Sequence, residues 1–482
     1  IAALLLAVTA IEARDAARDQ RREAEALVQF MVGDLRDKLQ PIGMLDALDG
    51  VGSRVLAYYS KQDISELSEA GLVQRSRALS LTAEVAYARG DLTKAQRLYR
   101  EAMAGTAEAI RRDPSDPQLL FDHAQNIFWI GEIARYQGRL NAAESAYREY
   151  KQLADRMTAL APDNLRWRAE VAYGDVNIGI VLYHQRRYDE AVRQFASALG
   201  LMQSLASIEA RNAEYQRELS TVLAWLADAE AARGNLEAAK RIREREIAHL
   251  RRLVADDPAN VGYRRRLIPA HQGLAILLSS TQGPESAIEQ LRSAIAEADR
   301  LTPIEPDNSF WKGLAAQARL ELAETLLSLD RRADAGLQVQ TGCGLAQDVL
   351  RRDPGPKWRR LQTTCLAVRA RLALESGSNA DALLLAERSL ASARRERSAD
   401  PVTDRYTIAV AYRLLGEVRD RMGDEDAARA AWSAGLTQLP ARVTERPREM
   451  NERAELLKRL GRAAELQVVQ KQLASMGFRL ST

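Results

Sequence analysis

The chain has 482 residues, beyond the roughly 250–300 at which a single hydrophobic core stops growing, so several domains or a repeat array are expected. Apolar residues make up 46% and charged residues 28%, which excludes a disordered chain, while 5% aromatics with 27 glycines and 14 prolines argue against an all-β sandwich or barrel. A net charge of +3 does not suggest a dedicated nucleic-acid binder.

The chain starts at Ile1, and residues 1–11 (IAALLLAVTAI) are almost wholly apolar. Eleven residues are too few to span a bilayer, which takes about 20. We read them as the remnant of a transmembrane helix, followed over residues 12–40 by a charged juxtamembrane stalk helix containing Arg14, Arg18, Arg21 and Arg22. Pro41 and Gly43 break that helix. Residues 41–64 match nothing that follows and are expected to form an N-terminal helical cap.

From about residue 65 a repeat takes over. Helix–helix turns centre on Gly90, Gly138, Arg186, Gly234, Gln282 and Asp330 at a constant spacing of 48, then on Gly377 and Gly423 at steps of 47 and 46. Five residues after each stands alanine: Ala95, Ala143, Ala191, Ala239, Ala287, Ala335, Ala382 and Ala428. Seven residues before each stands Ala or Gly: Ala83, Gly131, Gly179, Ala227, Ala275, Ala323, Ala370 and Gly416. Small residues there allow paired helices to approach closely.

Twenty-four residues after the turn comes Pro114, Pro162, Pro258, Pro306, Pro354 or Pro401, expected to end the second helix; Ala210 replaces it once. Two residues further, Asp116, Asn164, Asn212, Asn260 and Asn308 read as N-caps of the next helix. Then follow Leu119, Trp167, Tyr215, Tyr263, Trp311 and Trp358, read as packing for the new helix's first turn rather than as a ligand ladder. In the sixth to eighth copies Arg332, Asn379 and Glu425 replace the hydrophobic residue two past the turn. The eighth copy stops early at Pro440, and residues 441–482 read as C-terminal capping helices whose outer face meets water.

This pattern of a small residue, then G-x-[LY]-x-x-A, then Pro resembles the tetratricopeptide repeat over roughly residues 65–480. The family's period is 34 residues, and here each helix has gained seven, nearly two turns, which preserves its packing face. The resemblance implies an all-α solenoid of antiparallel helix pairs forming a right-handed superhelix, with about eight repeats over residues 65–440. It implies a non-catalytic scaffold that binds a protein or peptide ligand, the first helix of each pair lining the concave face. The inward positions then fall on Trp129, Glu132, Tyr136, Tyr173, Asn177, Tyr183, His184, Trp225 and Asp228. A carboxylate clamp is not expected, because Phe128, Glu132, Thr221 and Trp225 stand where it needs cations.

The layout as a whole also resembles the C-terminal sensor region of bacterial membrane-anchored signalling proteins. That implies a single pass through the inner membrane, with the solenoid expected outside the cytoplasm; Arg14, Arg18, Arg21 and Arg22 beside the apolar run favour the cytoplasmic side and keep that placement open. The alternative is an assembly scaffold for an envelope complex. No metal, cofactor or nucleic-acid partner is expected: His123, His184, His249 and His271 sit in no ligand spacing, and no phosphate-loop or nucleophile-elbow motif occurs. Cys343 and Cys365 fall on neighbouring helices, where they are either a disulfide or two buried thiols.

Overall fold

A computed structural model of the protein describes residues 45–59, 67–395, 401–439 and 445–479, together with Ala26 and Phe30. The readings made for residues 1–11, for the run of 12–40, for the break at Pro41 and Gly43 and for the stop at Pro440 lie outside the described residues. The chain divides into two compact units, residues 1–181 and 182–482.

The first unit holds α1 (Leu45–Tyr59), α2 (Glu69–Ala88), α3 (Leu92–Arg112), α4 (Pro117–Tyr136), α5 (Leu140–Leu160) and most of α6 (Leu165–His184). The second continues with α7 (Tyr188–Ile208), α8 (Ala213–Ala232), α9 (Leu236–Asp256), α10 (Val261–Gln282), α11 (Ile288–Leu301) and α12 (Ser309–Leu327). Then come α13 (Arg332–Arg352), α14 (Pro356–Glu375), α15 (Asn379–Ala393), α16 (Pro401–Arg421), α17 (Glu425–Gln438), α18 (Pro447–Arg459) and α19 (Ala463–Ser475). Among the described residues there is no strand, and no helix is long and apolar enough to cross a membrane. Each unit is a succession of helical hairpins, the all-α repeat that the spacing of small residues predicts.

The turns explain the periodicity. At Gly90, Gly138, Gly234, Gly377 and Gly423 the backbone is left-handed, and so it is at Arg186 (φ 64°) and Asp330 (φ 57°). The amide after each such residue donates to a carbonyl five residues back, as Asp91 does to Ala86 at 2.9 Å and Arg331 to Leu326 at 2.9 Å, so the last carbonyls of the helix are satisfied. The sixth to eighth turns keep this geometry despite Arg332, Asn379 and Glu425. The fifth differs: the left-handed residue is Gly283, not Gln282, and a 3-10 turn over Pro284–Ala287 precedes α11.

All eight repeat alanines are at most 2% exposed. At two of the glycines among the first-helix small residues a ring fills the space: a Cβ on Gly131 would lie 2.9 Å from the Tyr147 ring, and one on Gly416 would overlap the Trp432 indole. The N-caps form as predicted, for example Asp116 Oδ1 accepting from the Gln118 amide at 2.7 Å and Asn308 Oδ1 from the Phe310 amide at 3.0 Å. Trp167, Tyr215, Tyr263, Trp311 and Trp358 are all buried beside their caps, as structural packing. Pro114, Pro162 and Pro258 lie just past helix ends, whereas Pro401 opens α16 instead of closing its predecessor, a position where a missing N–H costs nothing.

The C-terminal segment also reaches earlier turns of the second unit. α18 and the segment after α19 dock at the turns of residues 186, 234 and 282. Arg186 makes a bidentate pair with Glu449 at 2.7 and 2.9 Å, and Glu449 is fully buried. Met476 covers Gly234, so that a Cβ there would lie 2.9 Å from Met476 Cγ. Phe478 packs on Leu236 and Leu277, and the Arg479 amide donates to the Ser280 carbonyl at 2.7 Å. A sequence pattern based on one repeat touching the next cannot reveal contacts between residues about 200 positions apart.

Candidate ligand cavity

The inward positions selected from the sequence are mostly taken up by packing. In the first unit Trp129 stacks on Tyr99 with ring centroids 5.8 Å apart and meets Tyr87 edge-on. Glu132 binds Arg135 Nε at 2.9 Å and accepts from the Tyr147 hydroxyl at 2.8 Å. Burial alone would raise the Glu132 carboxyl, but Arg135 and Tyr147 hold it below its ordinary range. Tyr136 is 58% exposed, whereas Tyr173 and Asn177 are half-buried. In the second unit Tyr183 and His184 meet the Trp225 ring edge-on at 5.6 and 6.2 Å, Trp225 stacks on Phe195 at 6.0 Å, and Asp228 pairs with the buried Arg243.

The second unit instead carries a cavity of about 640 Å³, and none of those nine residues lines it. Its walls are helices α10, α12, α14, α16 and α18, with Ser389 from α15. These are the first helices of successive pairs, as the repeat implies. The register is also the one the sequence singled out. Glu321 stands nine residues before its turn residue Asp330, as Trp129 does before Gly138, Asn177 before Arg186 and Trp225 before Gly234. Glu324 stands six before, like Glu132 and Asp228. The cavity thus uses the same register as those positions, but in later repeats than the ones singled out from the sequence. The signal was available: this position is a large ring at 129 and 225, but Glu321, Val368 and Leu414 in later copies. At residue 273 it is glycine, whose space the Arg243 side chain occupies.

The cavity wall is strongly charged and largely self-paired. Arg413 binds Glu417 and Glu452, each at 2.7 Å, and Arg459 reaches Glu417 at 2.6 Å. Arg371 lies 3.8 Å from Glu324, and Arg360 lies 3.8 Å from Asp404. Arg448 sits over the Tyr406 ring at 5.1 Å. Burial, reinforced by Glu452, pushes the Tyr406 hydroxyl up to about 12, so it remains a hydrogen-bond donor at neutral pH. Glu321 accepts from the Gln272 and Gln317 side-chain amides at 2.8 and 3.0 Å; burial raises its carboxyl, those bonds oppose the rise and Glu324 adds to it. Thr363, Thr364, Thr403 and Thr407 add hydroxyls, and Ile276, 51% exposed, adds an apolar edge. A concave site of this size with a few placed polar groups suits a short flexible ligand.

Cys343 on α13 and Cys365 on α14 are joined in a disulfide, with Cα atoms 5.5 Å apart. The bridge ties the cavity helix α14 to the hairpin before it. Among the described residues no group of His, Cys, Asp or Glu side chains is placed to hold a metal ion.

No protein-family model matches the sequence, and no curated protein matches it. Among solved structures, the apo form of RapI aligns with a TM-score of 0.52 at 9% identity, over 83% of this chain and 96% of RapI. The fold is a tetratricopeptide-type helical repeat. A tetratricopeptide repeat protein from Parabacteroides merdae aligns over 70% of this chain and 98% of its own length, at 12% identity and a TM-score of 0.36. A Rap protein complexed with Competence and Sporulation Factor aligns over 84% and 99%, at 14% identity and a TM-score of 0.45. In this tetratricopeptide-type repeat the usual small-residue contacts persist while both helices are about two turns longer, 20 and 21 residues in α4 and α5.

Proposed function

We propose that the chain is a non-catalytic binding module that holds a peptide or an extended protein segment in the cavity of residues 182–482. The observation that carries this reading is the cavity itself, lined by the repeat's inward positions where they are not filled by rings. Its lining offers charge pairs, hydroxyls and an apolar edge, but no histidine or thiol to serve as base or nucleophile. The test is selection of short peptides on the immobilised chain, followed by titration against Val410→Trp, which fills the cavity. Binding reduced by about tenfold or more, a difference near 1.4 kcal/mol, with unchanged melting supports the reading. Undiminished binding to the filled variant overturns it.

The finer reading is that this module is the sensor region of a bacterial membrane-anchored signalling protein, held in the inner membrane with the repeats outside the cytoplasm. The apolar run of residues 1–11 with its charged continuation supports the anchor, and the Cys343–Cys365 bridge favours an oxidising compartment. Carbonate-washed membranes from cells making the whole gene product should retain the chain, and recovery in the soluble fraction would overturn the anchor.

A further inference from the structure

Among the charged side chains lining the cavity, the carboxylates are matched with one exception. Glu324 faces Arg371, Asp404 faces Arg360, and Glu417 and Glu452 share Arg413. Glu321 alone, among the described lining carboxylates, has no Arg, Lys or His within 4 Å; its contacts are the two glutamine amides. It stands on the same helix face as Gln317, four residues before it, and Glu324, three after it, both of which are exposed, so it is reachable from the cavity mouth. Ile276 offers an exposed apolar surface in the same cavity. A carboxylate held by amides in a partly desolvated recess, with an aliphatic surface in the same recess, complements an alkyl-ammonium or alkyl-guanidinium group: the stem packs and the head pairs.

We infer that the cavity selects a peptide presenting a lysine or arginine side chain, and that Glu321 is the residue that recognises it. This rests on the cavity being the binding site. Glu321 is a specificity residue here.

The experiment uses the full chain and four capped tetrapeptides, acetyl-Ala-Ala-Xaa-Ala-amide, with arginine, lysine, norleucine or glutamate at Xaa, titrated calorimetrically. The arginine and lysine probes should bind about tenfold or more tightly than norleucine. Glu321→Gln should bring them level with norleucine, with an unchanged melting temperature showing that the variant is folded. Glu321→Asp, keeping the charge but withdrawing it, should retain part of the preference. Equal binding of all four probes, or a basic preference that survives Glu321→Gln, overturns the inference; if that binding is abolished by Val410→Trp, the cavity reading still stands. Binding that Val410→Trp leaves intact, or no binding of any probe at millimolar concentration, overturns both.

Discussion

Arg186 and Glu449, 263 positions apart, are joined by two hydrogen bonds of 2.7 and 2.9 Å, and Arg446 grips the same carboxylate at 2.7 and 2.9 Å. Arg186 occupies the turn position that glycine holds in most repeats, with φ at 64°. The backbone cost of a side chain there is about 1 kcal/mol, and the ion pair offsets it. Arg186→Gly therefore separates the two effects. It relaxes the turn yet leaves Glu449 with one cation instead of two, and removing one partner of a buried pair costs about 3 kcal/mol. Net destabilisation of about 2 kcal/mol is expected in urea unfolding. A variant as stable as the parent would show that the tail contact contributes nothing.

Acid should loosen the same contact. Burial pushes the Glu449 carboxyl up, but the hydrogen bonds from Arg186 and the Arg446 charge and amide hold it below its ordinary value of 4.5. A depressed carboxyl stabilises the fold fully above its unfolded pKa, and the contribution is lost as pH falls through the folded value. Amide exchange in α18 and α19 should thus accelerate below about pH 4.5 ahead of exchange in α12, and a uniform response along the second unit would contradict this.

The ring-filled inward positions belong to stability. Trp225→Ala removes a ring stacked on Phe195 and edged by Tyr183, and should cost about 3 kcal/mol. It should leave binding in the α12–α18 cavity unchanged. Loss of peptide affinity with little loss of stability would reassign Trp225 to ligand contact.

Gly416 is set by its neighbour. An added methyl overlaps the Trp432 indole, so Gly416→Ala should destabilise by about 1–3 kcal/mol through overpacking. The double variant with Trp432→Leu should recover part of that loss in a thermodynamic cycle. Additivity of the two substitutions would mean the contact is not what requires glycine.

Reduction should be felt at the cavity wall. Closing a loop across 22 residues is worth about 3 kcal/mol in the chain-entropy account, so dithiothreitol should lower the unfolding midpoint, and Cys343→Ala should lower it to the same level. Free thiols found by mass spectrometry in the untreated protein would refute the bridge.

Periodic features were legible because they arise from contacts between consecutive helices. The eight alanines, the caps Asp116 to Asn308 and the buried rings Trp167 to Trp358 each repeat the same local demand. The tail escaped because its partners, Arg186, Gly234 and Ser280, sit at turns whose own geometry is already satisfied locally. The cavity was half legible. The cavity register matches the one singled out from the sequence, but whether a repeat is open depends on the residue one position class holds in each copy, a ring at Trp129 and Trp225 and a carboxylate at Glu321. Arg186 was the available clue to the tail, as a long cation where the pattern calls for glycine.

The Cys343–Cys365 bond gives the second unit a stiff segment. Elsewhere among the described residues of this unit, hairpins are held to one another by non-covalent contacts alone. α13 and α14 cannot shear past each other at the bridge. A load applied at Thr364 or Arg371 is therefore carried directly into α13, so strain generated in the recess reaches the back of the repeat stack without first being absorbed in side-chain rearrangement.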